Sequence, residues 1–450
     1  MNIRTRRIIA LIFIGIFFVS APILILYTAG FRYDIKKGGL EKTGALVIET
    51  TPRGATVTLN GQPENTKTPV RLNNVLPDDY EISVEKDGYY SWSKKLSVLS
   101  RETTFAEDIV LFAKNDAEKL VENKIERLDF SPQKKFAVYS TASGEGYELF
   151  LLDLGNQKTK SLLSGEQPFK NPTSIWANDA TKFLFLSKEN AIVFSTTFFK
   201  QSSDLFPYII ENDLTDFKWD IGNDEILFAR SGNSVYKINA ALNRLEKPEL
   251  IFQMDDTKKL FDFFIFENEI YTIERIQTKN ILTKYPLKNG AANKISKSIE
   301  LKNENYKFDS VYRNLLAVKN NENNYYFVNL ELDNIVLFKN NIQKMELFNN
   351  ELLLIQTDQE LSFLNLANGD ISEKTIARYS QGLQNSAWHK SANYVFALQE
   401  NKISIIEMDD RNGHFAIEIP LSAISDFAVD AKCKTIFYLQ NNYLWKLAIQ

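Results

Sequence analysis

The chain offers few side chains of the kinds that carry chemistry. Its 450 residues include two histidines, His389 and His414, and one cysteine, Cys433. Zinc needs clustered His, Cys or carboxylate ligands at short spacings, and neither histidine has a second one four residues away or a cysteine close by. His389 follows Trp388 at a place that Ser, Asn or Asp fills in similar stretches, and His414 follows "DDRNG", a hairpin signature. Both read as surface turn residues. No Gly-x-Ser-x-Gly elbow prepares a serine for hydrolysis. There is no Walker loop, and Gly144-Glu145-Gly146 reads as a hairpin and not as half of a dinucleotide fingerprint. The acidic pairs Asp255-Asp256 and Asp409-Asp410 fall between apolar runs and read as solvated turns. Cys433 precedes an apolar strand and reads as inert, and a lone cysteine leaves no intrachain disulfide. The expected inventory is no catalytic, cofactor-binding or metal-binding residue and no cofactor, in a protein that is not an enzyme. Local pattern leaves one route open, carboxylates from separate loops meeting at one point.

Such a meeting depends on the elements that carry the loops. Charged residues make up 24% and hydrophobic ones 44% of the chain, a globular composition. The length allows two or three folded units. Arg4, Arg6 and Arg7 are the only charges in residues 1–29, so the rest is more acidic than the net charge of −4. That sign repels phosphate backbones and argues against nucleic acid as a partner.

Residues Ile8 to Ala29 read "IIALIFIGIFFVSAPILILYTA", without a charge. As a helix this run is roughly 33 Å long, enough for the hydrocarbon core of a bilayer. The preceding arginines favour a cytoplasmic N-terminus. A cleaved signal peptide is the alternative, but the run exceeds the usual apolar region of a signal, and Pro22 directly follows the best cleavage site, "VSA". An uncleaved anchor over residues 1–29 is expected, followed by a polar spacer over 30–43 with a Gly38-Gly39 joint. Only seven residues precede the span, which leaves no room there for a cytoplasmic output domain.

From 44 to 112, apolar residues recur two apart: Leu46/Ile48, Val57/Leu59, Ile82/Val84, Leu96/Val98 and Ile109/Leu111. Period two marks strands with one buried face. Turn signals separate them, with Gly54 expected at positive φ and Asn60-Gly61 as a hairpin turn. Five short strands over this length predict a small β-sandwich. Pro52-Arg53-Gly54-Ala55, then "VTLNG", Thr68-Pro69 and "DGYYSW" at Asp87–Trp92 resemble PEGA domains, with Arg53 in place of the family's acidic residue. The resemblance implies a bacterial or archaeal surface-associated β-domain and supplies no catalytic residue. Tyr89, Tyr90 and Trp92 read as core and edge packing in preference to a sugar-stacking platform.

Residues 116–450 repeat loosely. "RLDFSPQKKFAVYS", "SIWANDATKFLFLS", "DFKWDIGNDEILFAR", "NSAWHKSANYVFALQ" and "DFAVDAKCKTIFYLQ" each pass from a strand through a polar turn into an apolar strand. The anchors Phe130, Trp176, Trp219, Phe266, Tyr312, Phe348, Trp388 and Val429 are spaced by roughly 36 to 47 residues, the spacing of four-stranded propeller blades. Eight copies begin and the last is one strand short. "AEKLVENKI", ahead of the first copy, is expected to supply that strand and close the ring. "FSPQKKFAVYS" resembles the repeats of TolB-type and WD40-like propellers, with Gln-Lys where Asp-Gly is usual. Seven blades and an irregular insertion around Glu267 is the runner-up.

The fold class expected is mainly β: an N-terminal transmembrane helix, a small PEGA-like β-sandwich and an eight-bladed propeller. The function expected is a single-pass, extracytoplasmic, non-catalytic scaffold of the cell envelope. Its partners would be the membrane and an envelope protein or a cell-wall glycan. The rival is an envelope enzyme, a glycan lyase or hydrolase, with its site in the propeller channel.

Overall fold

A computed structural model describes residues 3–143, 146–166, 169, 172–197, 200–241, 246–287, 297–302, 304–367, 371–380 and 382–450. The chain divides into two compact units. One holds Met1–Asp116 with Ile406–Ile417 and Ile449–Gln450, the other Ala117–Ile405 with Glu418–Ala448.

The first unit begins with helix α1 (Ile3–Thr28), which keeps Pro22 within it. Its Thr5–Thr28 stretch has a mean hydropathy of 2.9 and none of its most apolar part is buried. By length and composition this helix is long and apolar enough to cross a bilayer. The polar spacer expected next is instead a hairpin, β1 (Phe31–Asp34) paired antiparallel with β2 (Gly39–Lys42). Asp34 is buried and its Oδ1 accepts the Lys36 and Lys37 amides, so the turn is closed by an Asx bond that the composition alone did not reveal.

The sandwich follows as β3 (Gly44–Thr51), β4 (Thr56–Leu59), β5 (Gln62–Pro63), β6 (Val70–Val75), β7 (Asp78–Glu85), β8 (Trp92–Val98) and β9 (Thr103–Val110). One sheet has the order β6-β3-β9, with β3 and β9 parallel, and the other β5-β4-β7-β8. All five apolar pairs read from the sequence face this core, Leu59 at its margin. Gly54 has φ +84° and Asn60-Gly61 have φ 48° and 77°, the all-positive turn that joins β4 to β5. The β-carbon of an alanine at Gly44 would lie 2.3 Å from the Leu99 carbonyl oxygen, so the start of β3 admits no side chain.

The second unit is a β-propeller. Eight successive four-stranded antiparallel sheets are present among the described residues, starting at Ile125, Thr173, Thr215, Lys259, Tyr306, Ile342, Leu383 and Ile424. The last takes its fourth strand from Glu118–Lys119, inside the "AEKLVENKI" segment. Every sequence anchor, from Phe130 to Val429, is the final residue of the first strand of its sheet. The described part of the sheet around Glu267 has four strands, with one bulge between Leu260 and Asp262. Glu267 and Asn268 have φ 48° and 63° and form a two-residue hairpin turn between strands of eight residues each. The Asn-rich composition serves similar turns at Asn349-Asn350 and Asn441-Asn442.

The sheets pack face to face in series. Val138 and Leu151 of the first sheet meet Phe183 and Phe194 of the second. The pattern continues in further shared cores, which hold Leu184 with Trp219, Phe252 with Phe263, Leu282 with Phe308, and Phe327 with Leu353. Trp388 of the seventh sheet lies 5.9 Å from the Phe348 ring of the sixth, and Phe396 lies 6.5 Å from Phe427 of the eighth. Phe437 and Leu444 of the eighth sheet share a core with Tyr139 and Leu152 of the first, which returns the series to its start.

Candidate functional site: ionic bridges on the inner strands

The first strands of several successive sheets run against one another, Lys259–Phe266 against Tyr306–Tyr312 and Leu383–Trp388 against both Ile342–Phe348 and Ile424–Val429 among them. They carry ionic groups that reach from sheet to sheet, although the buried Lys182 and Glu274 stand on second strands. Asp262, on the first strand of the fourth sheet, is almost fully buried. Lys218 Nζ of the third sheet donates to it at 2.8 Å, and the Phe308 amide of the fifth donates to its Oδ2 at 2.7 Å. The Phe263 amide fills Oδ1 at 2.9 Å. One carboxylate therefore ties three sheets together. Burial lowers the pKa of the Lys218 ammonium, against the pull of Asp262.

The same construction recurs with Asn385 in place of the carboxylate. Lys344 of the sixth sheet donates to Asn385 Oδ1 at 2.7 Å, and Asn385 Nδ2 reaches Asp426 Oδ1 at 2.6 Å and the Phe427 carbonyl at 2.9 Å in the eighth sheet. Burial brings Lys344 down to about 8, with Glu346 opposing and Lys134 adding to the shift. In both instances a bulge in the strand register falls beside the bridging residue, between Leu260 and Asp262 and between Leu383 and Asn385. A bulge re-aims a side chain, and here it lets a polar residue on an apolar strand reach its neighbours.

The first unit has its own buried ionic cluster. Lys94 on β8 donates to Glu407 Oε2 at 2.6 Å and to the Asp409 carbonyl at 2.5 Å, and Trp92 Nε1 donates to Glu407 Oε1 at 3.1 Å. Burial raises the Glu407 carboxyl, and the Lys94 and Trp92 bonds hold that rise in check. Burial also acts to raise Asp409, but hydrogen bonds from Arg411 outweigh it and leave the carboxyl below its usual range. Arg411 also donates to the Phe105 carbonyl of edge strand β9 at 2.8 Å.

The residues singled out in the sequence fare differently. His389 is not a surface residue: it is 1% exposed, with its Nδ1 2.8 Å from Ser391 Oγ and its ring beside Tyr394 and Phe396. Burial, helped by the Lys390 charge, pulls it down to about 4. It does occupy the expected turn, which the neighbouring sheet covers through the Lys390 amide, 3.1 Å from Cys433 Sγ. Cys433 is itself buried, and burial pushes its thiol up to about 11. His414 is half-buried with Nδ1 2.7 Å from the Glu407 carbonyl oxygen. Asp255 Oδ1 caps the Thr257 amide in an exposed turn, whereas Asp409 belongs to the Lys94 cluster and is not a solvated turn residue. Trp92 is core, and Tyr89 bridges to Ala113. Gly144 and Glu145 lie outside the described residues. No group of three or more metal-ligating side chains occurs among the described residues.

The PEGA domain family model matches residues 43–111. Residues 43–111 are a PEGA domain. A shallow cleft of about 650 Å³ lies between this domain and the residue Lys114 that follows it, bounded also by Gly54, Lys67, Lys86 and Tyr89. Lys86 is committed to the Arg53 carbonyl at 2.6 Å.

Several solved structures are similar to most of the chain. The Dos1 propeller has a TM-score of 0.47 at 9% identity, over 75% of this chain and 95% of that one. The C-terminal WD40 domain of Sif2 has 0.47 at 8%, over 74% and 98%. The WD40 domain of SCAP from fission yeast has 0.44 at 10%, over 75% and 98%. No curated protein matches the chain. The assignment of a propeller rests on the sheet order and on the packing of each sheet against the next.

Sequence reasoning missed Lys94, Glu407, Lys218, Asp262, Lys344 and Asn385. A signal for the inner-strand set was present in the repeats. Asp262, Lys344, Asn385 and Asp426 each stand three or four residues before an anchor, on strands that are otherwise largely apolar.

Proposed function

We propose that the protein is a single-pass membrane protein of the cell envelope, with the N-terminus cytoplasmic and the PEGA domain and propeller extracytoplasmic. It acts as a non-catalytic scaffold whose propeller offers a platform to an envelope protein or a cell-wall glycan. The observation that carries this reading is α1, an exposed apolar helix of bilayer length that one hairpin joins to the PEGA domain. Arg6 and Arg7 at its start support the inward orientation of that end.

The ionic groups of the inner strands support a binding role over catalysis. Catalytic acids and bases need a free lone pair or proton to offer a substrate. Asp262 and Asn385 spend theirs on neighbouring sheets.

External protease on intact spheroplasts should digest the PEGA domain and propeller, which sediment with membranes beforehand. Cross-linking in native membranes should then recover one specific envelope partner. A fully protected propeller, or its release as a soluble mature form, would reject the topology.

One observation favours the enzyme reading. Glu346 Oε2 is buried without a hydrogen-bond partner among the described residues, and Lys344 Nζ lies 3.7 Å away. Incubating the purified chain with cell-wall material and analysing the released fragments separates the readings. The scaffold releases none, whereas release abolished by Glu346→Gln would establish the enzyme.

A further inference from the structure

The segment between α1 and the PEGA domain has a face that water alone does not suit. β1 and β2 pair with Phe31 opposite Lys42 and Tyr33 opposite Leu40, so these four side chains share one face of the hairpin. Tyr33 is 61% exposed, Leu40 54%, and Ile35 in the connecting turn 87%. The opposite face is satisfied within the protein. Asp34 is buried under the turn amides, and Glu41 pairs with Lys37 at 3.0 Å. A two-stranded hairpin is marginal in water, and apolar side chains on its open face add nothing to its stability there.

The position of the hairpin identifies what covers that face. α1 ends at Thr28 and β1 starts at Phe31. Three residues of chain reach at most about 11 Å, and the headgroup layer extends roughly 5–7 Å beyond the hydrocarbon on each side. The chain does not use that reach to lead away from the helix. Arg32 donates to the Tyr27 carbonyl at 2.9 Å and lies 3.6 Å from the centre of the Tyr27 ring, and the Thr43 amide returns to the Gly30 carbonyl at 2.9 Å. Both ends of the hairpin are therefore fixed at the helix terminus. Tyrosine and the long basic side chains prefer the boundary between acyl chains and headgroups, where an apolar body and a polar tip are both accommodated. Tyr27, Tyr33, Arg32, Lys36, Lys37 and Lys42 provide that composition around the exposed Ile35 and Leu40.

We infer that the β1–β2 hairpin lies in the phospholipid headgroup layer, with Tyr33, Ile35 and Leu40 turned toward the acyl chains. The inference rests on α1 spanning the membrane. It makes the hairpin a collar that fixes the depth of the helix and the start of the PEGA domain.

The test uses the full-length chain in vesicles of phosphatidylethanolamine and phosphatidylglycerol. A nitrobenzoxadiazole fluorophore is placed, one variant at a time, through Ile16→Cys, Ile35→Cys, Leu40→Cys and Glu122→Cys. The parent chain, whose Cys433 is buried, is the labelling blank. Ile16 is an exposed position of α1, and Glu122 is an exposed position of the second unit. Each probe is quenched by iodide in the water and by nitroxides carried on the headgroup or deep on the acyl chain. The expected result is quenching of the Ile16 probe by the deep nitroxide, of the Glu122 probe by iodide, and of the Ile35 and Leu40 probes by the headgroup nitroxide. Iodide should quench the two hairpin probes several-fold less than the Glu122 probe. Hairpin probes as open to iodide as Glu122, beside a lipid-buried Ile16 probe, would overturn the collar and leave the span intact. An Ile16 probe open to iodide would overturn both.

Discussion

Lys94 Nζ and Glu407 Oε2 lie 2.6 Å apart, and their residues are separated by 313 positions in the sequence. Both side chains are buried, at 3% and 7% exposure. A buried pair of this kind holds distant segments in one geometry more than it adds stability, because two desolvated charges offset most of their attraction. Its removal in halves is another matter. Lys94→Met leaves the Glu407 carboxylate facing Trp92 Nε1 alone, and Glu407→Gln leaves a buried ammonium with only carbonyl and Asp409 partners.

Each single substitution should therefore destabilise the first unit by about 3–5 kcal/mol, and the Lys94→Met/Glu407→Gln double variant should lose clearly less than the sum. Denaturant titration of the full-length chain in detergent, arranged as a double-mutant cycle, reads the coupling. Additive losses would mean that the two groups do not act as a pair.

Asp262 should be the most sensitive ionic position of the propeller. Asp262→Ala strands the Lys218 ammonium and the Phe308 amide at once, in two different sheets. The expected cost is about 3–5 kcal/mol for the uncompensated buried charge. Adding Lys218→Met should recover part of it, since the buried charge is then gone and only the Phe308 and Phe263 amides are left unpaired. A thermal melt followed by tryptophan fluorescence tests the order wild type, double variant, Asp262→Ala. A single variant as stable as the double would contradict the bridge.

Much of the fold was legible because one physical rule, alternation across a half-buried sheet, acts locally. Leu46/Ile48 and Ile82/Val84 announce their strands, and each anchor marks a strand end because the chain must turn there. β6 escaped notice because its sequence, "VRLNNV", alternates only at Val70 and Leu72 before Asn74 takes φ 61°. The β1–β2 hairpin escaped because its single Tyr33–Leu40 pair exists only once the register is known. The ionic bridges could be guessed from polar residues that recur on apolar strands, but not their partners, which come from other sheets. His389 shows the same limit from the opposite side. The sequence placed it in a turn, and turns are usually wet, but this turn is roofed by the next sheet.

That burial sets a pH dependence. The imidazole of His389 has its pKa pulled from 6.5 to about 4 in the folded protein. Between those values the unfolded chain binds more protons than the folded one, so stability rises as pH rises through this window and is lost as pH falls. The full difference, reached below pH 4, is about 3 kcal/mol on the scale of 1.36 kcal/mol per pKa unit. His389→Gln keeps a polar group near Ser391 Oγ and removes the titration. The variant should be less stable than the parent at pH 7, where the neutral imidazole packs against Tyr394 and Phe396 and accepts from the Ser391 amide. Its stability should then fall less steeply than the parent's between pH 6.5 and 4. Other groups titrate in that range too, so the readout is the difference between variant and parent at each pH, taken from urea midpoints of the full-length chain. That difference should narrow as pH falls. A constant difference from pH 7 to pH 4 would mean that His389 takes up its proton in the folded protein as readily as in the unfolded chain.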